Sequence, residues 1–433
     1  MRRPSWFDTT LFGEILVLVA TAPVFFFSTW FPIWAVPTAI VLIALSWFWR
    51  RRRLGYWLAR TPADLALLIF FALLVMAVAV APAPLRQQYA WPRAAIMLWC
   101  GALFVVVATH SARQPALLKF WMAAFLGVGL AIALVAPLGI EWVYKLPVLG
   151  SLLDAIPSVL RGVFTGAENG FSPNQVAGAL LYVWPVAAAF AVYWPSGHRL
   201  RDVRWWLVSI ATLVMLVVLA LTQSRAGLLG AATGAVLIVL LPWRWGRWLL
   251  AFLVVSVAVG LFIGRDQLMA QLADVSPTDG LHTLISRTAI WDAALRGVYD
   301  FPLTGMGLGT FRAIMSVLYP LDNYTVAYDL AHAHNFFLQT ALDMGLPGLI
   351  ALLAIYLLAG VQTIALWRRG TGVHSGCRIC GLGFAAALVA QTVYSQLDAV
   401  ALGSKPGFLL WFLFGLIFGA ANLAFRTPVQ DVT

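Results

Sequence analysis

Charge is what this chain has least of. Asp, Glu, Lys and Arg make up only 10% of it, where a soluble domain carries roughly a quarter. With 62% hydrophobic residues and a mean hydropathy of +0.88, a water-soluble globule is excluded and a polytopic membrane protein is expected. Cysteine is nearly as scarce. Cys100 lies inside an apolar run, Cys377 and Cys380 lie in what reads as a short basic loop, and none falls in the longest polar stretch, so no disulfide framework is implied. His374, Cys377 and Cys380 offer three zinc ligands where a structural site takes four, and no zinc site is expected there. Acidic residues number 17 against 28 basic ones. The resulting +11 needs no nucleic acid to explain it, because cytoplasmic loops collect Lys and Arg. Internal repeats are not visible, and the one biased run, Arg at 50–53, reads as an anchor on anionic headgroups. No cleavable signal peptide is expected, since the first apolar run leads straight into a second.

What is present is a series of apolar runs of membrane length. They fall near 11–29, 31–49, 63–81, 92–109, 116–136, 176–194, 205–222, 227–242, 248–264, 346–366, 379–397 and 406–425. The fold expected is therefore all-α, with about twelve transmembrane helices and one large outer loop containing short helices. Three parts follow: helices one to nine over 1–264, the loop over 265–345, and helices ten to twelve with a tail over 346–433. With both termini in the cytoplasm, ten basic residues face outward: Arg86, Arg93, Lys145, Arg161, Arg225, Arg265, Arg287, Arg296, Arg312 and Lys405. The other eighteen of the 28 stay inside, which sets the long loop in the periplasm of a bacterium, outside the inner membrane. Those ten run against the topology rule, so something else must retain them. A second outer segment, 137–175, is rich in Pro and Gly and is expected to hold short interfacial helices.

Inside the long loop, 283–299 has a helical period. Taking Arg287 as the reference direction, Leu284, Ile290, Trp291, Ala294, Leu295 and Val298 share its face. A charge in the middle of an apolar face needs a partner. Arg296 sits opposite, beside Asp292 and Asp300, where an i,i+4 pairing on a solvated face accounts for it. A second short helix is expected near 310–318, after the turn-rich stretch of Gly305, Gly307 and Gly309.

His334 is the strongest candidate for chemistry. It precedes Asn335 and stands above the start of the tenth span, and histidine's ordinary pKa near 6.5 suits general-base work at neutral pH. His332 lies two residues away and would share a face with it only in extended chain. A metal pair would need a third ligand; Asp329 is the one acid close by, and no metal is expected. Arg225 lies in the tight turn of 222–227 (TQSRAG) between two spans, where a charge is expensive unless it faces a partner or a polar cavity. Snorkelling to the outer interface is the competing reading. Arg265 and Arg161 have the same ambiguity. Arginine's planar fork matches phosphate oxygens, which makes these three and Arg287 candidates for anion binding.

At these residues the sequence resembles the superfamily of bacterial O-antigen ligases, O-antigen polymerases and protein O-oligosaccharyltransferases. The ligase pattern of His, then Asn, nine residues and Gly-x-x-Gly is matched by His334, Asn335, Gly345 and Gly348. Upstream blocks are matched by SRAGLLG at 224–230, SRTAIWDAAL at 286–295 and GMGLGTF at 305–311. The resemblance covers about the second half of the chain, and a length of 433 with one large outer loop is closest to the ligases. It implies a GT-C-like membrane glycosyltransferase acting in lipopolysaccharide biosynthesis. The donor would be a glycan on undecaprenyl pyrophosphate and the acceptor a sugar of lipid A–core, with inversion at the anomeric carbon and no metal or other cofactor. His334 would be the base, and Arg225, Arg287, Arg265 and Arg161 would hold the pyrophosphate. Two alternatives stay open: an O-antigen polymerase, with a second lipid-linked glycan as acceptor, and a transporter of the lipid-linked glycan. A transporter should carry charges near the midplane of its spans, where this chain has few.

Overall fold

The computed structural model describes residues 9–140, 171–195, 199–263, 282–320, 331–369 and 375–425. Arg161 and Arg265 lie outside the described residues, as does most of the segment 137–175. In chain order the longer helices are α1 (Thr9–Phe26), α2 (Ala35–Leu54), α3 (Asp64–Val80), α4 (Trp91–Arg113), α5 (Pro115–Val135), α6 (Pro173–Val192) and α7 (Val203–Leu221). They continue with α8 (Arg225–Leu240), α9 (Arg244–Ile263), α10 (His282–Asp300), α11 (Phe311–Leu318), α12 (Phe336–Arg369), α13 (Ser375–Leu397) and α14 (Phe408–Phe425). Every expected apolar run falls on one of these helices, and α10 and α11 are the two expected within the long loop. Among the described residues no strand forms; Ile140 and Phe171 make one isolated bridge.

Among the described residues eight helical stretches are long and apolar enough to cross a membrane, and α3 and α8 are shorter apolar helices. The protein is thus a multi-pass membrane protein. Local chemistry sets the helix starts: Pro92, Pro115 and Pro173 occupy first-turn positions, where the missing N–H costs nothing. Asp202 caps α7 by accepting from the Arg204 N–H at 3.0 Å, and Ser224 Oγ caps α8 from Gly227 N at 3.2 Å.

In hydrocarbon no hydrophobic force drives helices together, so small residues set how closely they approach. A Cβ on Gly419 would lie 2.5 Å from Ser111 Cβ, and one on Gly415 would lie 2.9 Å from Val107 Cβ, which places α14 flush along α4. A Cβ on Gly230 would lie 2.7 Å from the Ala390 carbonyl, which fixes α8 on α13. A second, smaller core lies over this bundle. Ile290, Ala293 and Ala294 of α10, Met306, Phe311 and Met315 pack with Ala333 and Leu342, so the long loop folds down onto the start of α12.

α12 itself has 34 residues, about 51 Å at 1.5 Å per residue, far more than the ~30 Å apolar thickness of a bilayer. It breaks at Gly345, which is left-handed at φ +72°. A Cβ there would lie 2.4 Å from the Leu303 carbonyl, so the turn after α10 and the break in α12 interlock only around a glycine. Residues 336–344 become a separate outer turn of helix, and 346–369 continue at membrane length.

Three expectations change. Arg50, read with its neighbours as a headgroup anchor, is wholly buried and pairs with Glu14, which also lies 3.0 Å from His110 Nε2; Arg51, Arg52 and Arg53 stay exposed. A buried carboxylate near the end of α1 explains why one arginine of four turns inward. Cys377 and Cys380 lie on the first turns of α13 rather than in a loop, as free thiols. On α10, Leu295 is 59% exposed, because the buried stripe runs through Ile290, Ala293 and Ala294 and leaves it at the edge.

Candidate functional site

Four described chain segments meet at one end of the bundle: the end of α13, the start of α6, α10 and the histidine loop before α12. Asp398, the residue after α13, is the point they share. Its backbone N–H continues the helix to the Tyr394 carbonyl, while Ala399 N–H donates to its Oδ1 at 2.8 Å, so the carboxylate is fixed by its own turn. Asn174 Nδ2 of α6 donates to Oδ2 at 2.7 Å, and the Asn174 carbonyl accepts from the Tyr394 hydroxyl at 2.7 Å. Arg287 of α10 reaches the same Oδ2 at 3.5 Å. This is the partner that its place on an apolar helix face demands.

The histidine loop closes over the other oxygen. His334 Nδ1 lies 3.4 Å from Asp398 Oδ1 and His332 Nε2 lies 3.9 Å from it. The two rings are 4.3 Å apart between centroids. His332 Nδ1 accepts the His334 backbone N–H at 3.2 Å, so a neutral His332 carries its proton on Nε2, toward the carboxylate. His334 takes a left-handed backbone at φ +48°. Among the described residues only Gln223 shares that property without being glycine, and Gln223 sits in the TQSRAG turn. Such strain persists where surrounding structure enforces it, and it clusters at working sites.

What enforces it is visible on both flanks of His334. Asn335 caps α12, its Oδ1 accepting from Phe337 N at 3.0 Å and Leu338 N at 2.9 Å, while its Nδ2 donates to the Gln396 carbonyl at 3.3 Å. Ala333 N–H donates to Gln339 Oε1 at 2.9 Å, and Gln339 Nε2 donates to Asp343 Oδ1 at 2.9 Å. Trp291 Nε1–H of α10 donates to the Ala333 carbonyl at 3.0 Å. The asparagine of the sequence pattern is therefore a helix cap, and its first glycine is the break that lets α12 turn.

Electrostatics sets the charge of His332. Burial pushes the His332 imidazole down to about 4; His334, Arg93 and Arg287 push the same way and Asp398 opposes them. His332 is thus neutral at physiological pH. Burial raises the Asp398 carboxyl, but His334, His332 and Arg287 outweigh it and hold it below the usual carboxylate range. Asp398 is 3% exposed and His334 29%, so the imidazole opens outward while the carboxylate beside it is sealed beneath.

His332, His334 and Asp398 also bring ligand atoms within 4.8 Å of one another, a set that could hold a metal ion. The third ligand that Asp329 was too weak to supply comes from a different loop. Arg287, which shares the carboxylate, would repel a cation there.

His334, His332 and Arg287 are brought together. Arg225 opens α8 with an exposed side chain, while Thr222, Gln223 and Ser224 beside it are buried. Its turn belongs to the same end: a Cβ on Gly227 would lie 2.7 Å from Ala177 Cβ, one turn along α6 from Asn174. Arg296 pairs with Asp292 at 2.7 Å on the exposed face of α10, as the spacing implied. Sequence reasoning missed Asp398, Asn174 and Gln339. The available signal for Asp398 was an acid ending a polar run, YSQLD, that interrupts an apolar span.

No curated protein matches this chain. Residues 210–353, which hold Arg225, Arg287, His332 and His334 but not Asp398, match the family described as O-antigen ligase. Over that third of the chain the protein is similar to the O-antigen ligase family.

Proposed function

We propose that the protein transfers a glycan from undecaprenyl pyrophosphate to a sugar hydroxyl of lipid A–core, at the periplasmic face of the inner membrane of a Gram-negative bacterium. The family match over residues 210–353 supports ligase- or polymerase-type transfer. The observation that carries the mechanism is the placement of His334 3.4 Å from the buried Asp398, with Arg287 on the same carboxylate.

In this reading His334 Nδ1 faces Asp398 and its Nε2 faces the acceptor. Nε2 takes the proton of the acceptor hydroxyl while the oxygen attacks the anomeric carbon. The bond from that carbon to pyrophosphate breaks, the electron pair leaves with the phosphate oxygen, and the configuration inverts. Asp398 stabilises the imidazolium that forms, as an acid partner does for a histidine base. Arg287 and Arg225, with Arg265 and Arg161, stabilise charge on the departing pyrophosphate by fixed forked donors, and no metal is required. The loop of 265–345 carries the chemistry and the flanking helices over 1–264 and 346–433 hold it against lipid-borne substrates.

Lipopolysaccharide from a deletion strain tests the assignment by mass analysis. Loss of the whole polymer cap supports the ligase. A cap of one repeat would mean polymerase, and an unchanged cap would exclude both.

A further inference from the structure

Arg93 is the arginine that the site surrounds without using. It is the third residue of α4, delivered by a π turn over Arg86–Ala90. Two glycines with positive φ, Gly309 and Gly403, make room for it. A Cβ on Gly403 would lie 2.5 Å from the Arg93 carbonyl oxygen. A Cβ on Gly309 would lie 2.6 Å from Arg93 Cδ and 3.0 Å from Cζ. The Arg93 side chain therefore lies close against the glycine-rich turn, where no side chain would fit at Gly309.

That turn is linked to the histidine loop through two side chains. Gly309 N–H donates to Asp343 Oδ1 at 3.0 Å, and Asp343 holds Gln339, which holds Ala333 between the two histidines. The charge of Arg93 is felt at both His332 and Asp343. Yet Arg93 makes no hydrogen bond or ion pair among the described residues, although it is half-buried. Its neighbours differ: Arg86 is spent on the Ala79 and Ala81 carbonyls, Arg287 on Asp398 and Arg296 on Asp292. Asp343 does not absorb it, since the Oδ2 of that buried acid has no hydrogen-bond partner. A half-desolvated guanidinium with open donors is costly unless an anion completes it, and its planar fork matches a phosphate group.

We propose that Arg93 is a phosphate-binding residue of the site, contributing a guanidinium from α4, a different element from the long-loop arginines. This rests on the glycosyl-transfer reading for which substrate brings the phosphate. The phosphate is either the pyrophosphate of the lipid-linked donor or a phosphate on the acceptor.

Two measurements on the full-length purified protein decide it. The first needs no turnover: inorganic pyrophosphate should raise the melting temperature of the His334→Ala protein, and adding Arg93→Gln should abolish that shift. The second is kinetic. Arg93→Gln should raise one KM about tenfold or more with a smaller fall in kcat, and Arg93→Lys should recover it only in part. A raised donor KM assigns the pyrophosphate. A raised acceptor KM that disappears with dephosphorylated acceptor assigns the acceptor phosphate. A pyrophosphate shift that survives Arg93→Gln overturns the proposal, as does rescue of Arg93→Gln by Asp343→Asn, which would make Arg93 a structural counter-ion. Absence of any transfer by the wild type, with the pyrophosphate shift intact and dependent on Arg93, would sink the transferase reading and keep the phosphate site.

Discussion

His334 precedes α12 and Asp398 follows α13, and at the end that the two helices share, Nδ1 lies 3.4 Å from Oδ1. One is partly open and the other sealed, with Asn174, Ala399 and Arg287 fixing the carboxylate. The proposed base thus lies beside the buried carboxylate proposed to orient it. Asp398→Asn keeps the shape and removes the charge. It should cut kcat by about 10² to 10⁴ with little change in either KM, the range that a general-base step contributes. Initial rates with purified donor and acceptor check this, and a variant at wild-type kcat would remove Asp398 from the mechanism.

The arginines of α10 give an internal contrast. Arg287→Ala should abolish transfer and Arg287→Lys should restore little of it, since an ammonium cannot reproduce the forked contact. Arg296→Ala should leave transfer within about twofold, because its exposed pair with Asp292 is worth only about 0.3–0.5 kcal/mol. Equal losses at the two positions in the same assay would mean that the faces of α10 are assigned wrongly.

Much of this was legible in the sequence because hydropathy and helical period act locally. The twelve apolar runs, α10 with its inward Arg287, and His334 beside a helix start all follow from residues close together in the chain. Asp398 was not legible for the opposite reason. It reaches His334 only once α12 and α13 have packed side by side, from a position 64 residues further along the chain. The same holds for Arg50, whose partner Glu14 belongs to another helix, and for Asn335, whose capping bonds show only when α12 has a defined first turn.

Topology is testable at exposed positions on the two faces. Tyr299 is 84% exposed and Val317 74%, both in the long-loop helices. Cysteines at either should react with an impermeant maleimide in intact spheroplasts, and a cysteine at Arg204, whose side chain is 80% exposed, only after lysis. The reverse labelling pattern would invert the orientation and move the site to the cytoplasm.

Acid should destabilise the fold through His332. Its folded-state value, lowered by burial to about 4, lies beneath the ordinary 6.5. The neutral ring's contribution is therefore intact above about 6.5 and lost as pH falls toward 4, a span worth on the order of 3 kcal/mol. Melting temperature should drop across that window, and His332→Gln should flatten the drop. A wild-type curve that is already flat between pH 6.5 and 4 would contradict the burial of a neutral imidazole.

The central claim is that His334 acts as the base in a metal-independent transfer. It is tested most directly by assaying His334→Ala with purified lipid-linked glycan and lipid A–core, with and without a chelator on the wild type. The variant should insert and fold as the wild type does yet form product at least about 10²-fold more slowly, and the chelator should change nothing. Near-normal transfer by His334→Ala, or activity lost to the chelator and restored by a divalent cation, would contradict it; the second result would make His332, His334 and Asp398 a metal site instead.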